Sequence, residues 1–222
     1  MGNVKSAYRN LGKNSFYDGM ITSTTFLGSL VNRAVWRMNK DENKEYLRKA
    51  LSPITDDFSG KLLEVPVGTG ILTMPLYKKL KQADIVCLDY SAEMMSRAEH
   101  RANEMNIENI KFIQGDVGKL PFGNENFDTV LSLNGFHAFP DKDAAYSQTY
   151  RVLKKGGTLC GCFAVVGESK RTDWFLTKLY TKMVYCTPPF ETKESLEKRL
   201  NSMYSEVHIE TVKSMACFRC IK

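Results

Sequence analysis

The sequence predicts an α/β fold: a mostly parallel sheet with helices on both faces and an antiparallel C-terminal edge strand. Three observations carry this. From residue 61, short apolar runs alternate with helical stretches of roughly 10–15 residues, which is the pattern of right-handed crossovers in a helix-covered parallel sheet. The first run leads into a glycine-rich turn, Gly68-Thr69-Gly70, where a strand feeds its helix. The last two runs, 206–213 and 215–221, are joined around Ser214 with no room for a helix, so they pair antiparallel.

The elements follow in order. Residues 1–60 hold few strand signals. In 41–51 the acidic residues come first and the basic residues last, which suits a helix dipole, and Pro53 with the polar stretch after it closes that helix. Strands are then expected over 62–67, 84–90, 110–115, 127–133 and 158–166, separated by helices over 71–81, 92–105 and 141–155. A helix over 174–185, a break at Pro188-Pro189, a helix over 194–204 and the terminal strand pair complete the chain. The expected organisation is a single domain over 1–222, with an N-terminal helical cap (1–58), a core (60–165) and a helical insertion (167–203).

Composition narrows the class. The 222 residues are 43% hydrophobic and 25% charged, as in an ordinary globular protein large enough to bury a core without staples. The longest apolar stretch, 159–167, is far short of the roughly 20 residues of a membrane span. The formal net charge of +6 is uneven: 13 basic and 7 acidic residues lie in 151–222, against 18 of each before it. That is mild for nucleic-acid binding, which is not expected, though a local patch matters for a partner. The N-terminus has no apolar signal region, so the expected location is cytoplasmic and the six cysteines read as free thiols. Cys217 and Cys220 lie three apart in an extended tail, on opposite faces, and no second pair completes a tetrahedral site. No metal is expected. The pattern Met1-Gly2-x-x-x-Ser6 matches a myristoylation template.

The chemistry-bearing motif is Glu64-Val65-Pro66-Val67-Gly68-Thr69-Gly70. Ligands sit beyond the carboxyl ends of parallel strands, and glycines let them approach the backbone. A phosphate-binding P-loop needs Gly-Lys-Ser/Thr, and Gly70 is followed by Ile71 and Leu72. A dinucleotide motif needs a third glycine where Thr73 stands. The remaining reading is an S-adenosylmethionine site, in which one acid opens the motif and a second ends the next strand. Glu64 and Asp89 stand there. Asp116 follows the third strand, Leu133-Asn134 ends the fourth and leads to His137, and Lys154-Lys155-Gly156-Gly157 announces the fifth.

In this order the residues resemble the class I S-adenosylmethionine-dependent methyltransferases, and most of all the small-molecule branch that includes the ubiquinone and menaquinone C-methyltransferases. The resemblance covers about residues 60–165. It implies a Rossmann-like sheet of seven strands and S-adenosylmethionine as cofactor. On matching positions, it implies that Asp89 accepts from the ribose hydroxyls, Tyr90 and Met94 flank the adenine, and Asp116 with the Val117 backbone N–H reads the base. It further implies that Gly68 and Gly70 admit the methionine part, that Glu64 orients the loop or meets the ammonium, and that Leu133 and Asn134 hold the amino-acid end. Tyr17 matches a tyrosine near the cofactor. Pro66 replaces the family's usual glycine and Val67 a smaller residue, which implies a stiffer loop.

Plainer readings stand beside these. Asp89 alone is a helix N-cap, with Ser91 competing; Asp116 alone is a turn residue beside Gly115. Met94 serves equally as helix core. His137 is either a general base, since histidine titrates near neutrality, or a hydrogen-bonded structural residue. The stripe Trp174, Phe175, Leu179, Tyr180, Met183 and Val184 is expected as core or lid. The acceptor site is expected to be formed by the first 40 residues and 167–195, both aromatic-rich (Tyr8, Phe16, Tyr17, Phe26 and Trp36; Trp174, Phe175, Tyr180, Tyr185 and Phe190); this suits a small apolar or aromatic acceptor. Two other functions remain open: cofactor binding without catalysis, and methylation of nucleic acid or protein through the basic C-terminal third.

Overall fold

The computed structural model describes Asp18, Thr22, Leu30 and residues 32–222 except Val184. The expectations for Tyr17, for Tyr8, Phe16 and Phe26, for the pattern at residues 1–6 and for Val184 lie outside the described residues.

Seven strands form one sheet: β1 (Lys61–Glu64), β2 (Asp84–Asp89), β3 (Ile110–Gln114), β4 (Phe127–Leu133), β5 (Leu153–Ala164), β6 (Glu206–Val212) and β7 (Met215–Ile221). Their order is β3-β2-β1-β4-β5-β7-β6. All pairings are parallel except those of β7, which runs antiparallel to both β5 and β6. The terminal pair thus supplies the antiparallel end of the sheet. Within it, β7 lies inside and β6 takes the edge, because the Lys213-Ser214 turn sends the chain back between β5 and β6. The order reverses at β1, whose neighbours are β2 and β4. A crevice opens at such a reversal, beyond the carboxyl ends of the strands.

Strand side chains alternate between two cores. Leu62, Ile85, Cys87 and Leu131 face one, where they meet Tyr46 of α1 (Lys40–Leu51), Tyr77 of α2 (Met74–Tyr77) and Ala98 of α3 (Ala92–Glu104). Leu63, Val86, Leu88 and Val130 face the other, against Tyr146 of α4 (Lys142–Val152) and Leu196 and Leu200 of α6 (Lys193–Asn201). All six cysteines are buried and unbridged. Cys217 lies in the first core and Cys220 in the second, as their spacing on a strand requires.

Two helices differ from expectation. The helix expected over 71–81 is regular only over Met74–Tyr77. Thr73 occupies its cap position without capping it, because the hydroxyl donates to Glu64 instead. The helix expected over 174–185 begins earlier, at α5 (Lys170–Trp174), where the Ser169 hydroxyl accepts from the Thr172 N–H. It then widens into a π-helical turn over Phe175–Tyr180.

Candidate functional site

The loop after β1 is tied by backbone hydrogen bonds to the neighbouring strands β4 and β2. The Val65 N–H donates to the Leu131 carbonyl at 2.9 Å and the Val67 N–H to the Leu88 carbonyl at 3.0 Å. Pro66, which has no N–H to place, sits between these two anchored residues, so the substitution leaves no donor stranded. Gly68 and Gly70 have φ of 56° and 69°, a region that favours glycine. A Cβ on Gly70 would meet Met74 and Ala98, whereas one on Gly68 would meet nothing within 4 Å. Gly70 is thus fixed by packing, and Gly68 faces open space.

Asp89, at the end of β2, holds this loop. Its Oδ2 accepts from the Gly68 N–H and its Oδ1 from the Ser91 N–H, both at 2.8 Å. Ser91, not Asp89, caps α3. The Tyr90 N–H is a third backbone donor to this carboxylate, and a carboxylate with about four lone-pair sites still has capacity for a ligand hydroxyl. Burial pushes the Asp89 carboxyl up to about 6, against the pull of those backbone donors.

Glu64 is more deeply buried. Its Oε2 accepts from the Thr73 hydroxyl at 3.0 Å, the Tyr77 hydroxyl at 2.9 Å and the Cys87 thiol at 3.7 Å. All three donors are neutral. Burial therefore dominates and raises the carboxyl to about 8, which leaves Glu64 protonated at neutral pH.

These groups line one cavity of about 570 Å³, a size that suits a cofactor. The structure brings Glu64, Pro66, Gly68, Gly70, Asp89, Tyr90, Met94, Asp116, Val117, Leu133 and Asn134 together along its wall. Thr69, Ser91, Ala138 and Phe139, which sequence reasoning did not single out, join them. Met94 is 1% exposed and Tyr90 44% exposed, so one adds to the core while the other stands at the rim. The Asp116 Oδ1 accepts from the Gly118 N–H at 2.8 Å, which makes it both a turn residue and a cavity residue. Asn134 has a φ of 54° and its N–H donates to the Cys162 carbonyl at 2.7 Å.

An N-terminal latch was not legible beforehand. Asp18 accepts from the Thr69 hydroxyl at 2.6 Å, from Arg97 at 2.9 Å and from Arg101 at 3.1 Å. Arg101 also donates to the Thr69 carbonyl. Two arginines four apart on α3 thus clamp one carboxylate over the glycine-rich loop. The only sequence sign was the i,i+4 spacing of Arg97 and Arg101.

His137 does not line this cavity. Its Nδ1 accepts from the Ala164 N–H at 3.3 Å, so in the neutral ring the proton lies on Nε2. Burial and the nearby Lys142 lower its pKa to about 4. Beside it, Lys142 donates to the Phe139 carbonyl and to the carbonyl and hydroxyl of Thr187, at 3.4, 2.5 and 2.9 Å. The Thr187 N–H donates to the His137 carbonyl at 2.9 Å. The segment around Thr187 is therefore stapled to the loop after β4.

The expected aromatic stripe splits. Tyr180 lies near Trp36 and Tyr185, with ring centroids 5.9 and 6.0 Å apart. Trp174, Leu179 and Met183 are instead 56%, 38% and 42% exposed and so lie outside the core, because the helix docks through Thr172 and Leu176 on its other side. Among the described residues, no group of three or more His, Cys, Asp or Glu side chains is arranged to hold a metal ion.

Known proteins bear on this geometry. A family profile described as a methyltransferase domain matches residues 62–157. A phosphatidylethanolamine N-methyltransferase of Cereibacter sphaeroides is 38% identical over 99 residues, which are 44% of this chain and 47% of that protein. A demethylmenaquinone methyltransferase of Thermus thermophilus is 31% identical over 112 residues, half of each chain. The chain spans about half the length of these relatives. The solved structure of YcgJ from Bacillus subtilis shares the fold with a TM-score of 0.65 at 19% identity, over 76% of this chain and 71% of that one. Residues 62–157 thus match a methyltransferase domain, and the ordered acids and the strand order 3-2-1-4-5-7-6 agree with that match.

Proposed function

We propose that the chain transfers a methyl group from S-adenosylmethionine to a small, apolar or aromatic acceptor. The observation that carries this is the cavity at the sheet's reversal point, with Asp89, Glu64 and the open face of Gly68 on one wall. Its residues fit the cofactor. Asp89 offers its spare lone pairs to the ribose diol, and such charge-assisted bonds are the strong ones. Tyr90 and Met94 flank the base, and Asp116 with the Val117 N–H reads its polar edge. Leu133 and Asn134 hold the amino-acid end beside Glu64. Tyr17 is assigned to the cofactor on the family resemblance alone.

The bound cofactor supplies an electrophilic methyl on a sulfonium. The protein's task is then to align the acceptor atom and to exclude water. His137 suits an anchoring role better than that of a base, since its Nδ1 is committed to the Ala164 N–H and its Nε2 carries the proton. The Lys142–Thr187 staple fixes the acceptor-side segment against the loop after β4. The half-buried aromatics Trp36, Tyr180 and Tyr185 support an apolar acceptor. So do the relatives, whose names specify a phosphatidylethanolamine and a menaquinone precursor as substrates.

The domain reading follows: 60–165 is the cofactor core, and the cap (1–58) and insertion (167–203) shape the acceptor side. An acceptor panel of hydroquinones, aminophospholipids and small phenols, monitored by S-adenosylhomocysteine release, tests the proposal. Turnover with a lipophilic member is expected. Tight cofactor binding with no turnover across the panel would favour binding without catalysis.

A further inference from the structure

The helix that begins at α5 and continues through the π turn is docked by one side only. Thr172 is fully buried and donates to the Val35 carbonyl at 2.9 Å, and Leu176 is 1% exposed. The other side carries two kinds of residue. Lys170, Arg171, Lys178 and Lys182 are exposed, and none of them has an acidic partner among the described residues. Trp174, Leu179 and Met183 lie between and beside them, 56%, 38% and 42% exposed. The one acid within the helix, Asp173, is only partly exposed and turns back to accept from the Gly167 N–H at 3.2 Å.

We propose that this face binds the surface of an anionic lipid bilayer. Large apolar side chains set among unpaired cations on one helix face are what an interfacial helix needs: the apolar groups enter the acyl boundary and the cations meet the headgroups. The lysine stems add apolar length beneath their charges. The chemistry favours a bilayer over a nucleic acid. Leu179 and Met183 have no π face on which a base stacks. Three of the four cations are lysines, which lack the planar fork that grips phosphates in two-point contacts. No helix among the described residues is long and apolar enough to cross a membrane, so the contact is peripheral. The inference rests on this surface alone and not on methyl transfer. If both hold, the acceptor-side segment faces the phase in which a lipophilic acceptor dissolves.

Flotation with phosphatidylcholine vesicles, with and without phosphatidylglycerol, tests it on the full chain. The expected result is binding to the anionic vesicles alone, weakened by salt, with a blue shift of tryptophan emission that Trp174→Phe removes. The double variant Lys178→Glu/Lys182→Glu is expected to weaken binding by about tenfold or more, with cofactor affinity unchanged. Three results would overturn the proposal: no binding to anionic vesicles, equal binding by the double variant, or displacement from vesicles by equimolar RNA. S-adenosylmethionine titrated into the same preparation reads the methyltransferase proposal separately, so the failure of one is distinguishable from the failure of the other.

Discussion

The cofactor end of the sheet and the helical segment over 170–183 solve opposite problems. At the cofactor end, polar groups are buried and committed. Asp89 is held by the backbone donors of Gly68, Tyr90 and Ser91, and Glu64 by three neutral side chains. On the helix, cations are exposed and unpaired among the described residues, with tryptophan, leucine and methionine beside them. A small ligand with fixed functional groups demands donors and acceptors at fixed positions, so its site is rigid. A yielding partner is met by a surface in which charge and apolar area matter more than geometry. The uneven charge reflects this division: the neutral first 150 residues hold the cavity, and the basic excess lies beyond them.

The comparison can be broken most sharply at Asp89. Asp89→Ala removes both the proposed ligand acceptor and the anchor of the Gly68 N–H. Cofactor affinity measured by calorimetry is expected to fall about 100-fold, as for the loss of two charge-assisted bonds. Asp89→Asn is expected to retain part of it.

Glu64 comes next. Its folded pKa of about 8 lies above its ordinary value of 4.5. The native state therefore keeps a proton that the unfolded chain loses. This contribution to stability is fully present below about pH 4.5 and is lost as pH rises through 8. Denaturant titrations at pH 5 and pH 8 should show the decline, on the order of 3–5 kcal/mol, and Glu64→Gln should flatten it. A cationic ligand beside Glu64 favours its carboxylate. Binding at pH 7 should thus release close to one proton, seen as a dependence of the binding enthalpy on the buffer's ionisation enthalpy; Glu64→Gln should abolish it. Asp89, already largely ionised at pH 7 with a pKa of about 6, contributes little there.

The latch is expected to matter less. Asp18→Ala should weaken cofactor retention by about three- to tenfold, visible as faster dissociation in stopped flow. Asp18→Glu should restore part of it. The smallest effect is expected at His137. His137→Gln should change kcat by less than about tenfold and leave the shape of the kcat pH profile between pH 6 and 8 unchanged, since a base there would contribute about 100-fold or more. The His137 pKa is depressed from 6.5 to about 4, so its contribution to stability is present above 6.5 and is lost as pH falls through 4.

The two regions also differ in what the sequence discloses. Strand runs and their order could be read because parallel strands buried on both faces are nearly continuous in apolar residues. Asp89, Asp116 and the glycines could be read because each occupies a fixed place at a strand end. The partners of Glu64 could not. Thr73 and Tyr77 reach it from the cap position and the last residue of the short helix α2. Asp18 could not, because its bonds to Thr69, Arg97 and Arg101 close loops of more than 50 residues. The side that docks is not legible in the 170–183 helix because Trp174, Leu179 and Met183 are as apolar as the buried Leu176. Only docking through Thr172 and Leu176 decides which side faces the interior.

Titration of the full chain with S-adenosylmethionine, and in parallel with NAD, tests the central claim most directly. The cavity built around Asp89 and Gly68 predicts one equivalent of S-adenosylmethionine bound, no NAD bound at the same concentration, and loss of the signal in Asp89→Ala. No S-adenosylmethionine binding, or binding undiminished in Asp89→Ala, would contradict it.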